Sequence, residues 1–207
     1  MPDTDQQSPS RLLALGDSYT IGEAVEPDDR WPVRLAEMLS ARGVRMAPPT
    51  IVARTGWTTD ELTAGIATAG LAGFFDLVTL LIGVNDQYRG RGVDEFRLNL
   101  RALIARALAF AGERADRVIV LSIPDWGVTP FARDRDRSRV ATEIDLFNTV
   151  VRDEAARAGA RFVDVTAISR RAASEPGFVA PDELHPSAAM YAEWARVMLP
   201  VAGAALG

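Results

Sequence analysis

From Arg11 onward, short apolar runs alternate with longer amphipathic stretches. RLLALGD (11–17) is brief, continuous and bounded by turn residues, which predicts a buried strand. RWPVRLAEMLSARG (30–43) sets Trp31, Leu35, Met38 and Leu39 at helical spacing, with Gly43 as its stop. TIVA (50–53) predicts a second strand, and Thr58 or Thr59 caps a helix running to about Ala69. FDLVTLLIG (75–83), the most hydrophobic segment, fits a central strand, and 94–112 reads as a long amphipathic helix. DRVIVLSIP (116–124) is strand four, 143–159 a helix and ARFVDV (160–165) strand five. A last helix over 187–206 is bent or ended near Pro200.

Five buried-type strands separated by helices predict an α/β protein, a three-layer αβα fold with a parallel, doubly wound sheet. Ligands in such open sheets bind beyond the C-terminal strand ends, where strand order reverses. Ser18 follows strand one and Asn85 follows strand three, so the two are neighbours if strand one lies between strands two and three. Terminating a strand explains either residue equally well at this point.

Composition narrows the chemistry mainly by what is missing. A chain of 207 residues with 48% hydrophobic and 25% charged positions suits one domain with a substantial core, 11–207. Residues 1–10 are polar and read as a disordered tail with no secretory h-region, so the cytoplasm is the default location. No apolar run approaches the roughly 18 residues that span a bilayer, and stable membrane anchoring is not expected. The absence of cysteine excludes disulfides and thiolate chemistry. All 23 basic residues are arginine, which removes Schiff-base lysines, Ser-Lys dyads and the P-loop lysine. One histidine, His185, rules out a multi-histidine metal site within the chain, and neither metal nor cofactor is expected. A net charge of −5 argues against nucleic acid as a partner.

Near the C-terminus, APDELHPS (180–187) puts Asp182 three residues before His185, with Pro186 following. A carboxylate at that spacing in a turn can reach one imidazole nitrogen, fix the tautomer and leave the other nitrogen as an acceptor. Alone, the pattern is better explained by a capping aspartate beside an exposed histidine. Ser18 supplies the hydroxyl that such a base activates. Gly56 in TGW (55–57) and the Asn85 amide in GVND (83–86) can join the Ser18 backbone N–H as donors to a tetrahedral oxyanion. Singly, Gly56 reads as a turn glycine and Asn85 as a cap.

Gly16-Asp17-Ser18, Gly56, Gly83-x-Asn85-Asp86 and Asp182-x-x-His185, in this order, resemble the four blocks of the SGNH hydrolases, the GDSL-type esterase and lipase family. The resemblance spans nearly all of residues 11–207. It implies a flavodoxin-like sheet of order 2-1-3-4-5, with Ser18 as nucleophile, His185 as base and then acid, and Asp182 as its orienter. Ser18, Gly56 and Asn85 are then the oxyanion donors. Tyr19 stands where the family usually has leucine, which alters a pocket wall and not the nucleophile.

The expected activity is hydrolysis of small or medium-chain carboxylic esters, with a small-molecule ester as partner. Tyr19, Trp57, Tyr88, Trp126 and Phe131, with Val128, are the aromatic and apolar candidates for an acyl pocket; packing beneath loops explains each one singly. The connections 83–92 and 124–139 are expected to be long loops, with RDRDRSR as a solvated, mobile segment. Lysophospholipase, thioesterase and acyltransferase activities use the same residues and stay open. So does a non-catalytic phosphate or sugar-binding module, although no G-x-G-x-x-G follows strand one. The apolar face of MYAEWARVML fits packing on the sheet or self-association, so a homo-oligomer also stays open.

Overall fold

A computed structural model describes residues 8–207. Most of the expected N-terminal tail lies outside the described residues; Ser10, at its edge, forms a parallel bridge with Met46. Five parallel strands, β1 (Leu12–Gly16), β2 (Thr50–Ala53), β3 (Leu77–Leu81), β4 (Val118–Leu121) and β5 (Arg161–Val163), form one sheet in the order β2-β1-β3-β4-β5. This is the order the resemblance implies. Every residue of β1, β3 and β4 is buried, as expected for parallel strands covered on both faces.

Among the described residues there are eight α-helices: α1 (Ser18–Ile21), α2 (Trp31–Ser40), α3 (Thr59–Thr68), α4 (Val84–Tyr88), α5 (Val93–Phe110), α6 (Arg137–Arg157), α7 (Thr166–Arg170) and α8 (Ala188–Leu206). The helix α2 packs with α8, while α5 packs with both α3 and α6. The α8 face carrying Met190, Tyr191, Trp194 and Met198 is buried within the chain. Trp31 and Trp194 are fully enclosed, each covering about 150–250 Å² of apolar surface.

Three expectations change. The helix α8 does not end at Pro200 but continues to Leu206: Arg196, whose carbonyl the proline cannot bond, is an exposed residue, while Leu199, Ala202 and Ala205 still bury against the core. The connection 83–92 contains α4 rather than only loop. RDRDRSR is exposed throughout, but its last three residues are helix rather than loop: Asp136 caps α6 by accepting the Arg139 N–H at 3.0 Å, so the helix begins at Arg137, six residues before the expected start.

Register fixes where the site can be. Gly16 pairs with Ala53 on one side and Leu81 on the other, so the C-terminal ends of β1, β2 and β3 lie level. The segments leaving those three ends carry Ser18, Gly56 and Asn85, and they emerge side by side at the reversal of strand order.

Candidate active site

The first wall is the β1–α1 turn. A side chain at Gly16 would run into Thr20 and the Leu81 carbonyl, so only glycine lets α1 start this close to β3. Asp17 caps α1 by accepting the Tyr19 N–H at 3.0 Å, which places Ser18 at the helix start. Trp31 anchors α1 from behind through its indole N–H, donated to the Tyr19 carbonyl at 3.0 Å. Asp17 is wholly buried and its second carboxylate oxygen, Oδ2, has no partner among the described residues. Burial pushes its pKa up to about 8; the Tyr19 N–H opposes this and the charge of Asp86 adds to it.

The second wall combines the turns after β2 and β3. Gly56 has φ +85°, a backbone state that favours glycine. Its carbonyl accepts from the Arg89 guanidinium at 2.6 Å, and its N–H donates to no protein group among the described residues. Thr55 donates its hydroxyl to Glu23, tying this turn to the segment after α1. Gly83, at φ +123°, starts α4 where any side chain would strike Phe96. Asn85 donates one amide hydrogen to the Trp57 carbonyl at 2.9 Å, which orients the amide and leaves its second hydrogen unspent. The neighbouring buried Asp86 accepts from the Thr59 N–H at 3.0 Å and hydroxyl at 2.8 Å, locking α4 to α3. Its pKa is raised by burial in spite of those bonds.

The third wall is the turn before α8. Asp182 accepts from the backbone N–H groups of Leu184 and His185, both at 3.0 Å, and its Oδ2 lies 2.5 Å from His185 Nδ1. Burial alone would raise the Asp182 pKa, but the bonds from the His185 ring and the two N–H groups hold it below the usual carboxylate range. With Nδ1 donating to an ionised carboxylate, Nε2 is left as an acceptor. Between these two residues, Glu183 sits at φ +65°, and its carbonyl accepts the Phe131 N–H at 3.0 Å. The Tyr19 ring meets the imidazole edge-on, 5.5 Å between centroids.

These walls border an open cavity of about 170 Å³ lined by Ser18, Gly56, Asn85 and His185, with Tyr19, Tyr88, Trp126 and Phe131 as its aromatic boundary. Ser18 and His185 share the cavity without a hydrogen bond between them; such contacts commonly tighten only when substrate binds. Trp57 and Val128 do not line it. The Trp57 indole lies over Gly65 of α3, where a side chain would collide with it, and only its carbonyl serves the site. Sequence reading missed Thr55, Val84 and Leu184, which complete the lining. It also missed Gln87, whose side-chain oxygen accepts the Trp126 indole N–H at 2.9 Å. Among the described residues, no group of His, Asp or Glu side chains could hold a metal ion, and no helix is long and apolar enough to cross a membrane.

The model of the GDSL-like lipase/acylhydrolase family matches residues 14–193. Among solved structures the chain is similar to TesA, at 20% identity and a TM-score of 0.76, covering 95% of this chain and 100% of that one. It is also similar to Axe2, an acetylxylan esterase from Geobacillus stearothermophilus, at 22% identity, a TM-score of 0.73 and 95% coverage of each chain. LAE5, an alpha/beta hydrolase from the metagenome of Lake Arreo, Spain, is 26% identical with a TM-score of 0.69 and 96% coverage of each chain. Among curated protein sequences, none matches. With the matched family model spanning the residues that build all three walls, the chain belongs to the GDSL-like lipase/acylhydrolase family and is an ester hydrolase of its SGNH type.

Proposed function

We infer that the protein hydrolyses small or medium-chain carboxylic esters through an acyl-enzyme on Ser18. Ser18 Oγ attacks the ester carbonyl while His185 Nε2 takes its proton. The developing oxyanion is received by the backbone N–H groups of Ser18 and Gly56 and by the free amide hydrogen of Asn85. His185 then passes the proton to the departing alcohol as its C–O bond breaks. Water repeats the sequence on the acyl-enzyme, releasing the acid and restoring Ser18. Asp182 keeps the imidazole in the accepting tautomer and stabilises the imidazolium that forms.

Support comes from one juxtaposition: Ser18, Gly56, Asn85 and the Asp182-held His185 line a single cavity. Its volume of about 170 Å³, near the roughly 150 Å³ that accepts a benzene-sized ligand, has room for a short acyl chain. A serine-directed organophosphonate, with peptide mass spectrometry, tests the assignment. Labelling of Ser18 is expected in the wild type and lost in His185→Ala, and Ser18→Ala lowers kcat by on the order of 10⁶. A folded wild-type protein left unlabelled at Ser18 overturns the reading.

A further inference from the structure

A second cavity of about 730 Å³ opens beside the first, and Tyr88 and Trp126 belong to the walls of both. The small cavity holds the reacting groups behind mostly apolar walls. The large one is different in kind: three arginines and three carboxylates line it, so its formal charge is zero. Much of that charge is already committed. Arg139 pairs with Glu143 at 2.7 Å, Arg91 with Asp60 at 2.5 Å, and Asp136 caps α6. Glu143 also accepts from the Gln87 amide at 2.7 Å, and Gln87 in turn holds Trp126. A chain of hydrogen bonds therefore fixes the shared wall from the large-cavity side.

Among the described residues, two charged side chains of this lining, Asp134 and Arg135, have neither an ion pair nor a capping role, and they are neighbours in the chain. Arg135 donates to the Tyr88 hydroxyl at a long 3.4 Å and lies 5.8 Å from the centre of that ring. Its fork of five N–H donors is otherwise open, and Asp134 offers only acceptors. Tyr88 itself is 47% exposed at the junction of the two cavities.

The geometry points to a leaving-group subsite: the large cavity takes the alcohol part of the ester, a neutral alcohol bearing several hydroxyl groups, bound by Asp134 and Arg135 and resting its C–H face on Tyr88. This rests on the hydrolase reading and adds the substrate class to it. A carbonyl placed at Ser18 has a cavity fit for a short acyl chain around it, and Tyr88 and Trp126 border both that cavity and a neighbouring space of drug-sized volume. Hydroxyl groups both donate and accept, which matches an adjacent carboxylate and guanidinium. A charged alcohol would oppose one of that pair, and a small apolar alcohol would leave both unused.

The test compares four butyrate esters under steady state: ethyl butyrate, a monobutyryl hexitol, a monobutyryl glycerol phosphate and butyrylcholine. The hexitol ester is expected to exceed the ethyl ester in kcat/KM by about tenfold or more, the effect of one to two added hydrogen bonds. In the double variant Asp134→Ala/Arg135→Ala, with its fold checked by circular dichroism and thermal melting, that ratio falls toward one, through KM. Equal kcat/KM for the ethyl and hexitol esters, a preference for either charged ester, or a ratio unmoved by the double variant each overturns the subsite. If none of the four esters is turned over by a folded protein that the organophosphonate does not label, the hydrolase reading fails and the subsite falls with it. Labelling of Ser18 without turnover of the hexitol ester overturns the subsite alone.

Discussion

Replacing Asp182 by asparagine changes one atom and two of the jobs that side chain does. The carboxylate accepts three hydrogen bonds, two from backbone N–H groups through Oδ1 and one from the His185 ring through Oδ2. An asparagine that keeps its oxygen on the two backbone donors turns its NH₂ toward Nδ1, which then has to accept. The proton moves to Nε2, and the ring can no longer take a proton from Ser18. Turning the amide over restores the tautomer but gives up both backbone bonds, at about 1 kcal/mol each. The charge-assisted bond that stabilises the imidazolium, about 1.5–3 kcal/mol, is lost in either orientation. The combined penalty is about 4 kcal/mol, or about 10³ in kcat. It is smaller than the roughly 10⁴ of the serine proteases, because the Asp182 side chain is one-third exposed and water can replace part of the lost interaction. Hydrolysis of p-nitrophenyl butyrate measures it, with KM expected to change by less than threefold and the melting temperature recorded alongside. A folded Asp182→Asn enzyme with kcat within tenfold of wild type refutes the tautomer argument.

Three further outcomes follow from the same geometry. Asn85→Ala removes the tie to Trp57 and, in the proposed mechanism, one oxyanion donor, so kcat should fall by about 10²–10³; a loss below tenfold removes Asn85 from the oxyanion site. Asp17, with its pKa raised from 3.8 to about 8, binds its proton more tightly folded than unfolded. It therefore costs stability progressively as pH rises from about 4 to about 8, and urea unfolding of Asp17→Asn should gain on wild type across that window; parallel stability curves would contradict the burial argument. Glu154 behaves oppositely, since the bonds from Arg101 and Arg97 outweigh burial and hold it at about 2. Its contribution is present above pH 4.5 and lost as pH falls toward 2, so Glu154→Gln should cost about 1–2 kcal/mol at pH 6, discounted for its partly exposed arginine partners, with the deficit closing in acid.

The parts of this molecule that could be read in advance obey local rules. The strands follow from short apolar runs that end in turn residues, while their order came from the resemblance of the four blocks, and Gly83 and Gly56 occupy backbone states that a side chain resists. The D-x-x-H turn is likewise local, because its three hydrogen bonds to Asp182 all come from residues within three positions. The start of α6 carried a local signal too, Asp136 as N-cap, but it was masked by a polar first turn that buries nothing until Val140. Trp57 shows where local reading stops. It sits beside Gly56 in the chain, yet Gly65, eight residues on, leaves a groove on α3 that takes the indole away from the cavity. Tyr88 and Trp126, 38 residues apart, meet at 5.3 Å only because α4 and the segment after β4 converge over the sheet. Thr55, Val84 and Leu184 likewise come from three separate strand-end or turn segments. Pocket walls are made by which faces happen to converge, and that depends on packing between segments far apart in the chain. The candidate reacting groups were legible in the sequence because a turn or cap fixes each one locally, while the shape of the cavity around them was not.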